Sequence, residues 1–249
     1  MNTEITYWLF ILLLFIVAFL YSSVGHGGAS GYLALMAIFG IAPSVMKSSA
    51  LLMNVFVSLI AFFHYYKGGH FKWKLFLPFA IASVPASFLG ALVTVDAEIY
   101  KKVLGALLIF PVLRLLGVFG KEHNGVKEMN RMVAILLGVA IGFLSGVIGI
   151  GGGIILSPII VLLHWANMKE TAAVSALFIF VNSISALAGL FTKGISIDTS
   201  VYLWIAITLA GGFAGAYFGS IKLKNPILKK ILAAVLLLAS IKLLVTHTK

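Results

Sequence analysis

Residues 145–163 read SGVIGIGGGIILSPIIVLL, an apolar stretch in which four of the five residues from 149 to 153 are glycine. A weaker copy, SSVGHGGASGYLAL, occupies residues 22–35. Consecutive glycines let the backbone turn tightly and approach a ligand closely. Each cluster is followed by a short apolar segment. The pattern therefore predicts short or broken helices at two matching places in an apolar fold.

The composition of the whole chain indicates a polytopic membrane protein. Of the 249 residues, 61% are apolar and 25 are glycine, whereas only 10% are charged. A soluble domain has about 25% charged residues, so a soluble enzyme, a nucleic-acid-binding domain and a disordered chain are excluded. The absence of cysteine excludes disulfides and thiolate metal sites. The net charge of +11 comes from scattered lysines and arginines, which we interpret as loop charge that orients the protein.

Ten apolar segments follow one another along the chain. They cover residues 5–24, 26–41, 48–66, 75–95, 102–118, 132–149, 152–166, 171–191, 200–219 and 230–246. The first has the length of a membrane span and lacks the basic residues that precede a cleaved signal peptide. We expect the mature protein to keep it.

An internal duplication divides these segments into two halves. Residues 25–28 match 149–152 at an offset of 124, and residues 49–51 match 175–177 at an offset of 126. The sequence predicts a first repeat at 1–119, a cytoplasmic linker loop at 120–131 and a second repeat at 132–249. The fold class we predict is an all-α membrane protein of two inverted repeats, each with about five transmembrane segments.

The loop charges favour ten crossings over eight. With ten crossings, twelve basic residues share the side of the central loop: Lys67, Lys72, Lys74, Arg114, Lys121, Lys127, Arg131, Lys169, Lys222, Lys224, Lys229 and Lys230. Six lie on the other side: Lys47, Lys101, Lys102, Lys193, Lys242 and Lys249. If 26–41 and 152–166 do not cross, the division is ten against eight. Because cytoplasmic loops carry the excess, we expect both termini outside.

Two kinds of residue form the predicted substrate site. Helix N-termini at the glycine clusters would present free N–H groups to an anion, and polar side chains of the third and eighth segments would complete the site. The predicted binding residues are Gly25, His26, Gly27, Gly28, Ser30, Ser48, Ser49, Asn54, Gly149, Gly151, Gly152, Gly153, Thr171, Ser175 and Asn182. Helix packing and hydrogen bonding between helices are the alternative roles for these residues. We assign packing to Gly211, Gly215 and Gly219.

The ionisable residues favour an anionic substrate. All seven acidic residues fall in predicted loops or at termini, so no carboxylate is available within a segment to bind a cation. His26 lies inside the first cluster, where it could bind an anion when protonated, relay a proton or be a neutral structural residue. Lys47 and Lys169, before the third and eighth segments, could guide anions, although orientation is the simpler role.

These residues resemble the sulfite exporter TauE/SafE family of membrane transporters. The resemblance rests on residues 145–163 with TAAVSALFIF (171–180), and on residues 22–35 with SSALLMN (48–54). It covers nearly the whole chain. Where the second half has Pro158, the first has Ala34. The resemblance implies transport of sulfite, a sulfonate or a related organic acid across the inner membrane.

We therefore expect a carrier of a small anion that works by alternating access, with no cofactor, no metal and no enzyme activity. Its partners would be the anion and the lipid bilayer, without nucleic acid, and a homodimer is an open alternative. An anion channel is the nearest rival function. The other is an intramembrane serine hydrolase with Ser30 or Ser145 as nucleophile and His26 or His164 as base.

Overall fold

The computed structural model describes residues 3–23, 27–118, 125–195, 197–221 and 226–245. The regular structure within these residues is helical, and its ten helices match the ten predicted segments one to one. They are α1 (Thr3–Ser23), α2 (Ala29–Ile38), α3 (Pro43–Lys67), α4 (Trp73–Leu92), α5 (Ala97–Leu115), α6 (Arg131–Ile148), α7 (Gly153–Leu162), α8 (Met168–Thr192), α9 (Ser200–Ile221) and α10 (Pro226–Val245).

Local capping makes α3 and α8 begin earlier than the apolar pattern predicts. Pro43 stands in the first turn of α3, where its missing N–H is harmless. At the start of α8, Asn167 and Glu170 form a reciprocal capping box. Lys47 therefore lies inside α3 and not in a loop.

The prediction that all acidic residues lie in loops or at termini is wrong for Glu98 and Glu170. Both stand in the first turn of a helix, where a carboxylate complements the positive end of the helix dipole. Glu170 is buried and pairs with Lys72 at 2.6 Å. The two acids nevertheless lie at helix ends, not in helix centres.

Six helices among the described residues are long and apolar enough to cross a membrane: α1, α3, α4, α6, α8 and α9. Helices α2 and α7 have only 10 residues each. At 1.5 Å per residue each is about 15 Å long, half the thickness of a bilayer's hydrocarbon core of about 30 Å. Neither could cross a membrane as a helix by itself.

Helices α4, α6 and α8 run in the same direction, because successive residues of α6 and α8 meet successive residues of α4. The contacting pairs are Gly138–Phe79, Gly142–Ser83 and Gly146–Ser87 for α6, and Ser185–Val84 and Gly189–Phe88 for α8. In each glycine pair a carbonyl oxygen of α4 lies where a Cβ atom would crowd it. Glycine thus allows the close approach of these helices.

Helix α7 runs against α8. Gly153 contacts Ile179, whereas Ser157, one turn later in α7, bonds to Ser175, one turn earlier in α8, with 2.6 Å between the two Oγ atoms. Since α6 and α8 run in the same direction, residues 149–162 must carry the chain back in the opposite direction before α8 begins. A return of this kind favours ten segments over eight, with the seventh made of an unwound stretch and a half-length helix.

Equivalent contacts recur in the two halves. Gly90 of α4 faces the carbonyl of Phe143 in α6, and Gly215 of α9 faces the carbonyl of Phe19 in α1. The two glycines are 125 positions apart and the two phenylalanines 124. Gly211 likewise faces the backbone of α1, which confirms the packing role predicted for Gly211 and Gly215. The surroundings of Gly219 lie outside the described part of the chain.

Helices α3 and α8 pack at the boundary between the halves and run in opposite directions. Leu51 belongs to a cluster with Leu187, while Asn54, later in α3, lies at Gly151 together with Ser183, earlier in α8. A two-fold relation between inverted halves requires such an antiparallel central pair. The inverted orientation of the repeats in a membrane stays a prediction, which this pair supports.

Candidate anion site between two helix breaks

Both glycine clusters end at the N-terminus of a short helix that has no side-chain cap. Gly28 precedes α2 with a φ of 93°, and Gly152 precedes α7 with a φ of 75°, left-handed values that glycine adopts without a steric penalty. The first N–H groups of a helix have no acceptor within the helix. Together with the positive end of the helix dipole, they form a favourable environment for an anion.

Asn54, in the middle of α3, lies between the two clusters. It is fully buried, and its Nδ2 donates a hydrogen bond of 3.4 Å to the carbonyl of Ile150. A Cβ atom on Gly27 would lie 2.8 Å from Asn54 Oδ1, and one on Gly151 would lie 2.7 Å from Asn54 Nδ2. The two breaks therefore meet at a single side-chain amide.

Ile179 of α8 is the second residue that both clusters contact. Its Cγ2 lies 3.1 Å from the Cβ position of Gly27 and 2.8 Å from that of Gly151. Ser183, one turn later in α8, places its Oγ 3.1 Å from the same position at Gly151. The meeting point thus has one apolar wall and one polar wall.

Buried polar atoms around the meeting point have no hydrogen-bond partner in the described part of the chain. They are Tyr32 Oη, Asn54 Oδ1 and Ser183 Oγ. The Tyr32 hydroxyl lies 2.7 Å from the Cβ position of Gly28, directly at the first break. Because buried polar groups are almost always hydrogen-bonded, three such atoms close to the breaks make this point a candidate ligand site. The hydroxyls of Tyr32 and Ser183 can donate to an anion.

A pocket of about 10 Å³ lies between the breaks, close to the smallest volume that holds one water molecule. It is lined by Tyr21, Gly27, Gly28, Ala29, Ser30, Asn54, Ile150, Ile154 and Ile179. This lining includes no acidic side chain.

The structure places several predicted site residues at this point. Gly27, Gly28, Asn54 and Gly151 come together there. Gly152, the next residue, has Phe178, Ile141 and Ser145 as its neighbours. Among the others, Ser30 shares a hydrogen bond of 2.7 Å with the Tyr21 hydroxyl, Gly149 ends α6 against Lys47, and Gly153 begins α7. Gly25 and His26 lie outside the described residues.

The remaining predicted residues lie elsewhere. Asn182 is directed towards α4, where its Nδ2 donates to Ser83 Oγ at 3.0 Å, and also to the carbonyl of Phe178 at 2.8 Å. Ser48 donates to the carbonyl of Val45, and Ser175 bonds to Ser157. Ser49 and Thr171 are buried about 8 and 12 Å along their helices from Asn54 and Ile179.

Sequence reasoning missed two tyrosines. Tyr32 presents its hydroxyl to the first break, and Tyr100 of α5 donates a hydrogen bond of 2.8 Å to the carbonyl of Ile148 at the second. The available signal was a tyrosine in or beside an apolar segment, since a buried phenol hydroxyl needs a polar partner. Tyr100 lies 48 residues before Ile148 in sequence, whereas Tyr32 follows Gly28 by one helical turn.

Comparison with known proteins agrees with this architecture. A family model described as "Sulfite exporter TauE/SafE" matches residues 10–243, which include both breaks. The chain belongs to the TauE/SafE family. A relative in Sinorhizobium fredii, named a probable membrane transporter protein, is 35% identical over 92% of this chain and 95% of its own.

Two further relatives carry the same description. The one from Methanocaldococcus jannaschii is 32% identical over 74% of this chain and 72% of its own. One from Bacillus subtilis is 26% identical over 92% of this chain and 95% of its own. No solved structure matches the chain. Family membership and the spans confirm a TauE/SafE membrane transporter of several helices, as the sequence motifs predict.

Proposed function

We propose that this TauE/SafE protein carries a small anion across the inner membrane by alternating access, and that it is a transporter without enzyme activity. The observation on which this proposal depends is the meeting of two uncapped half-helix N-termini at Asn54 and Ile179. Two positive dipole ends at one buried point favour negative charge. The hydroxyls of Tyr32 and Ser183 would add donors without the desolvation penalty of a buried cation.

The groups at the site are poorly suited to a cation. Metal ions in proteins are held by carboxylates, histidines or cysteines, and the described residues contain no group of three such side chains that could hold one. Among anions, the family description favours sulfite, a related sulfur oxyanion or an organosulfonate. The oxygens of these anions accept hydrogen bonds from N–H and O–H donors, which are the groups present here.

Alternating access requires two gates around one central site. Inverted repeats give two such gates because each half supplies one half-helix, and the halves exchange roles when the protein changes state. The proposed orientation has both termini outside and the loop between α5 and α6 in the cytoplasm. Helix α2 then leads from the site towards the outside, and α7 leads towards the cytoplasm.

The rival functions have less support in the geometry. Ser145 lies against Gly152 at the start of α7, whereas His164 follows the end of that helix, about 15 Å away at 1.5 Å per residue. These two cannot form a nucleophile–base pair, and the Ser30 hydroxyl is bonded to Tyr21. For an anion channel, the pocket between the breaks has room for about one water molecule, so the path is closed in this conformation, as it is in one state of an alternating carrier.

Transport by purified protein in proteoliposomes tests the proposal. Binding stabilises the folded state by mass action, so a thermal-shift screen of sulfite, thiosulfate, organosulfonates, sulfate and carboxylates first selects the anion. We expect a sulfur-containing anion to raise the Tm and its labelled form to show saturable uptake with counterflow. Linear, non-saturating flux without counterflow would support the channel instead.

A further inference from the structure

A separate cavity of about 360 Å³ opens at the face where α3 begins and α4, α6 and α8 end. This size lies within the range of small-molecule sites. The lining residues that matter here are Ser44, Lys47, Thr94, Tyr100, Val147 and Lys193. We call this cavity the Lys47–Lys193 vestibule.

Two lysines share the vestibule. Lys47 donates a hydrogen bond of 3.3 Å to the carbonyl of Ala91, and Lys193 donates one of 2.7 Å to the Thr94 hydroxyl. Because both side chains line the same cavity, their positive charges repel each other. The lining contains no carboxylate, and the nearest acids in sequence, Asp96 and Glu98, are outside it. Two cations without a lining acid make the vestibule favourable for an anion.

The vestibule connects directly with the second helix break. The aliphatic part of Lys47 contacts Gly149, and Val147 lines the vestibule two residues before it. Tyr100, also in the lining, donates its hydroxyl proton to the carbonyl of Ile148. Two residues later, the carbonyl of Ile150 accepts a hydrogen bond from Asn54 at the meeting point of the breaks. The four consecutive residues 147–150 thus lead from the vestibule to the central site.

We propose that the Lys47–Lys193 vestibule is a second anion-binding site, through which a small oxyanion or sulfonate passes between solution and the central site. This inference rests on the proposed function for its substrate class. Its physical basis is the pair of lysines in a cavity that adjoins the break, so it is testable without any transport measurement.

The test uses single cysteines in a chain that has none of its own. Ser44→Cys places a thiol in the vestibule. Its reaction rates are measured with an anionic and a cationic methanethiosulfonate, sulfonatoethyl and trimethylammonium-ethyl, on purified protein. We expect the ratio of the anionic to the cationic rate to fall at least tenfold when Lys47→Gln and Lys193→Gln are combined. Methanesulfonate should also protect the thiol of the Ser44→Cys protein that keeps both lysines.

Two controls separate the vestibule's field from general charge. Lys101→Gln removes a lysine on the same face that is outside the lining and should leave the ratio unchanged. Lys193→Arg keeps the charge and should preserve the ratio. An unchanged ratio in the monodisperse double variant would overturn the inference. A lowered ratio with methanesulfonate protection, in a protein that transports no anion, would support the vestibule and contradict the proposed function.

Discussion

At the scale of single residues, two buried asparagines have different surroundings. Asn54 contacts both glycine clusters and its Nδ2 donates to the carbonyl of Ile150, whereas the Nδ2 of Asn182 donates to Ser83 and to the carbonyl of Phe178. The Oδ1 atom of each has no partner in the described chain. Sequence alone treats them as equal members of two polar clusters. The structure assigns Asn54 to the proposed site and Asn182 to the packing of α8 on α4.

We expect alanine at these two positions to separate binding from stability. Asn182→Ala leaves the buried Ser83 hydroxyl without its donor and should cost about 1–3 kcal/mol of unfolding free energy, with an unchanged KM in folded protein. Asn54→Ala should raise the KM about tenfold or more with a smaller stability loss. Proteoliposome kinetics and thermal unfolding of the same preparations measure both. Equal KM values for the two variants would argue against the site.

The Tyr32 hydroxyl gives a second prediction at this scale. Because it has no partner in the described chain, Tyr32→Phe should leave the Tm of the protein alone unchanged or slightly raised. A hydrogen bond to a charged group is worth about 1.5–3 kcal/mol, so substrate affinity should fall about 10- to 100-fold. Thermal shift against anion concentration measures both quantities. If Tyr32→Phe left the affinity for the anion unchanged, the Tyr32 hydroxyl would not be part of the proposed site.

At the scale of elements, helical glycines determine how closely α1 and α9 approach. A Cβ atom on Gly215 would clash with the carbonyl oxygen of Phe19. Because this oxygen belongs to the backbone of α1, the clash can be relieved only by moving the helix. A Cβ on Gly212, one turn earlier in α9, would lie 3.0 Å from a side-chain methyl of the buried Val57, so there a side chain and not a backbone would have to shift. The two positions form a matched pair in one helix.

We expect Gly215→Ala to destabilise the protein and Gly212→Ala not to. Overpacking costs about 1–3 kcal/mol, so Gly215→Ala should lower the Tm by several degrees. Alanine favours a helix over glycine by about 1 kcal/mol, which offsets the mild contact at Gly212. Thermal unfolding in detergent measures the difference. A Gly215→Ala variant as stable as the Gly212→Ala variant would show that α1 and α9 do not pack through Gly215.

Sequence predicted the elements better than the contacts between them. Apolar length and the glycine clusters located all ten helices, including the two short ones, because both signals depend on local composition. Capping moved the starts of α3 and α8, since Pro43 and the Asn167–Glu170 box lie outside the apolar pattern. The sequence identified the glycines and Asn54 as candidate site residues. It could not identify the roles of Tyr32 and Tyr100 or the direction of the Asn182 side chain, because these depend on which helices are neighbours.

At the scale of the whole molecule, the two halves present equivalent contacts around the antiparallel pair α3 and α8. The loop charges then predict which face is cytoplasmic. Lys127, between α5 and α6, and Ser44, at the start of α3, are both exposed and lie at opposite ends of the bundle in this topology.

In intact cells, a membrane-impermeant thiol reagent should label Ser44→Cys and should label Lys127→Cys only after permeabilisation. The reason is that the central loop side carries twelve basic residues against six, and such an excess stays in the cytoplasm. The parent chain, which lacks cysteine, supplies the background. The opposite labelling pattern would reverse the orientation, and labelling of both before permeabilisation would reject the ten-segment topology.

Anion counterflow in proteoliposomes with leucine in either glycine cluster tests the central claim most directly. Gly27→Leu and Gly151→Leu would each drive a side chain into Asn54 and Ile179, whereas Gly69→Asn replaces a turn glycine with a φ of 72° and open space around it. The account predicts saturable counterflow for the parent and Gly69→Asn, and its loss in both monodisperse leucine variants. Counterflow that survives both leucine substitutions would contradict an anion site between the two breaks.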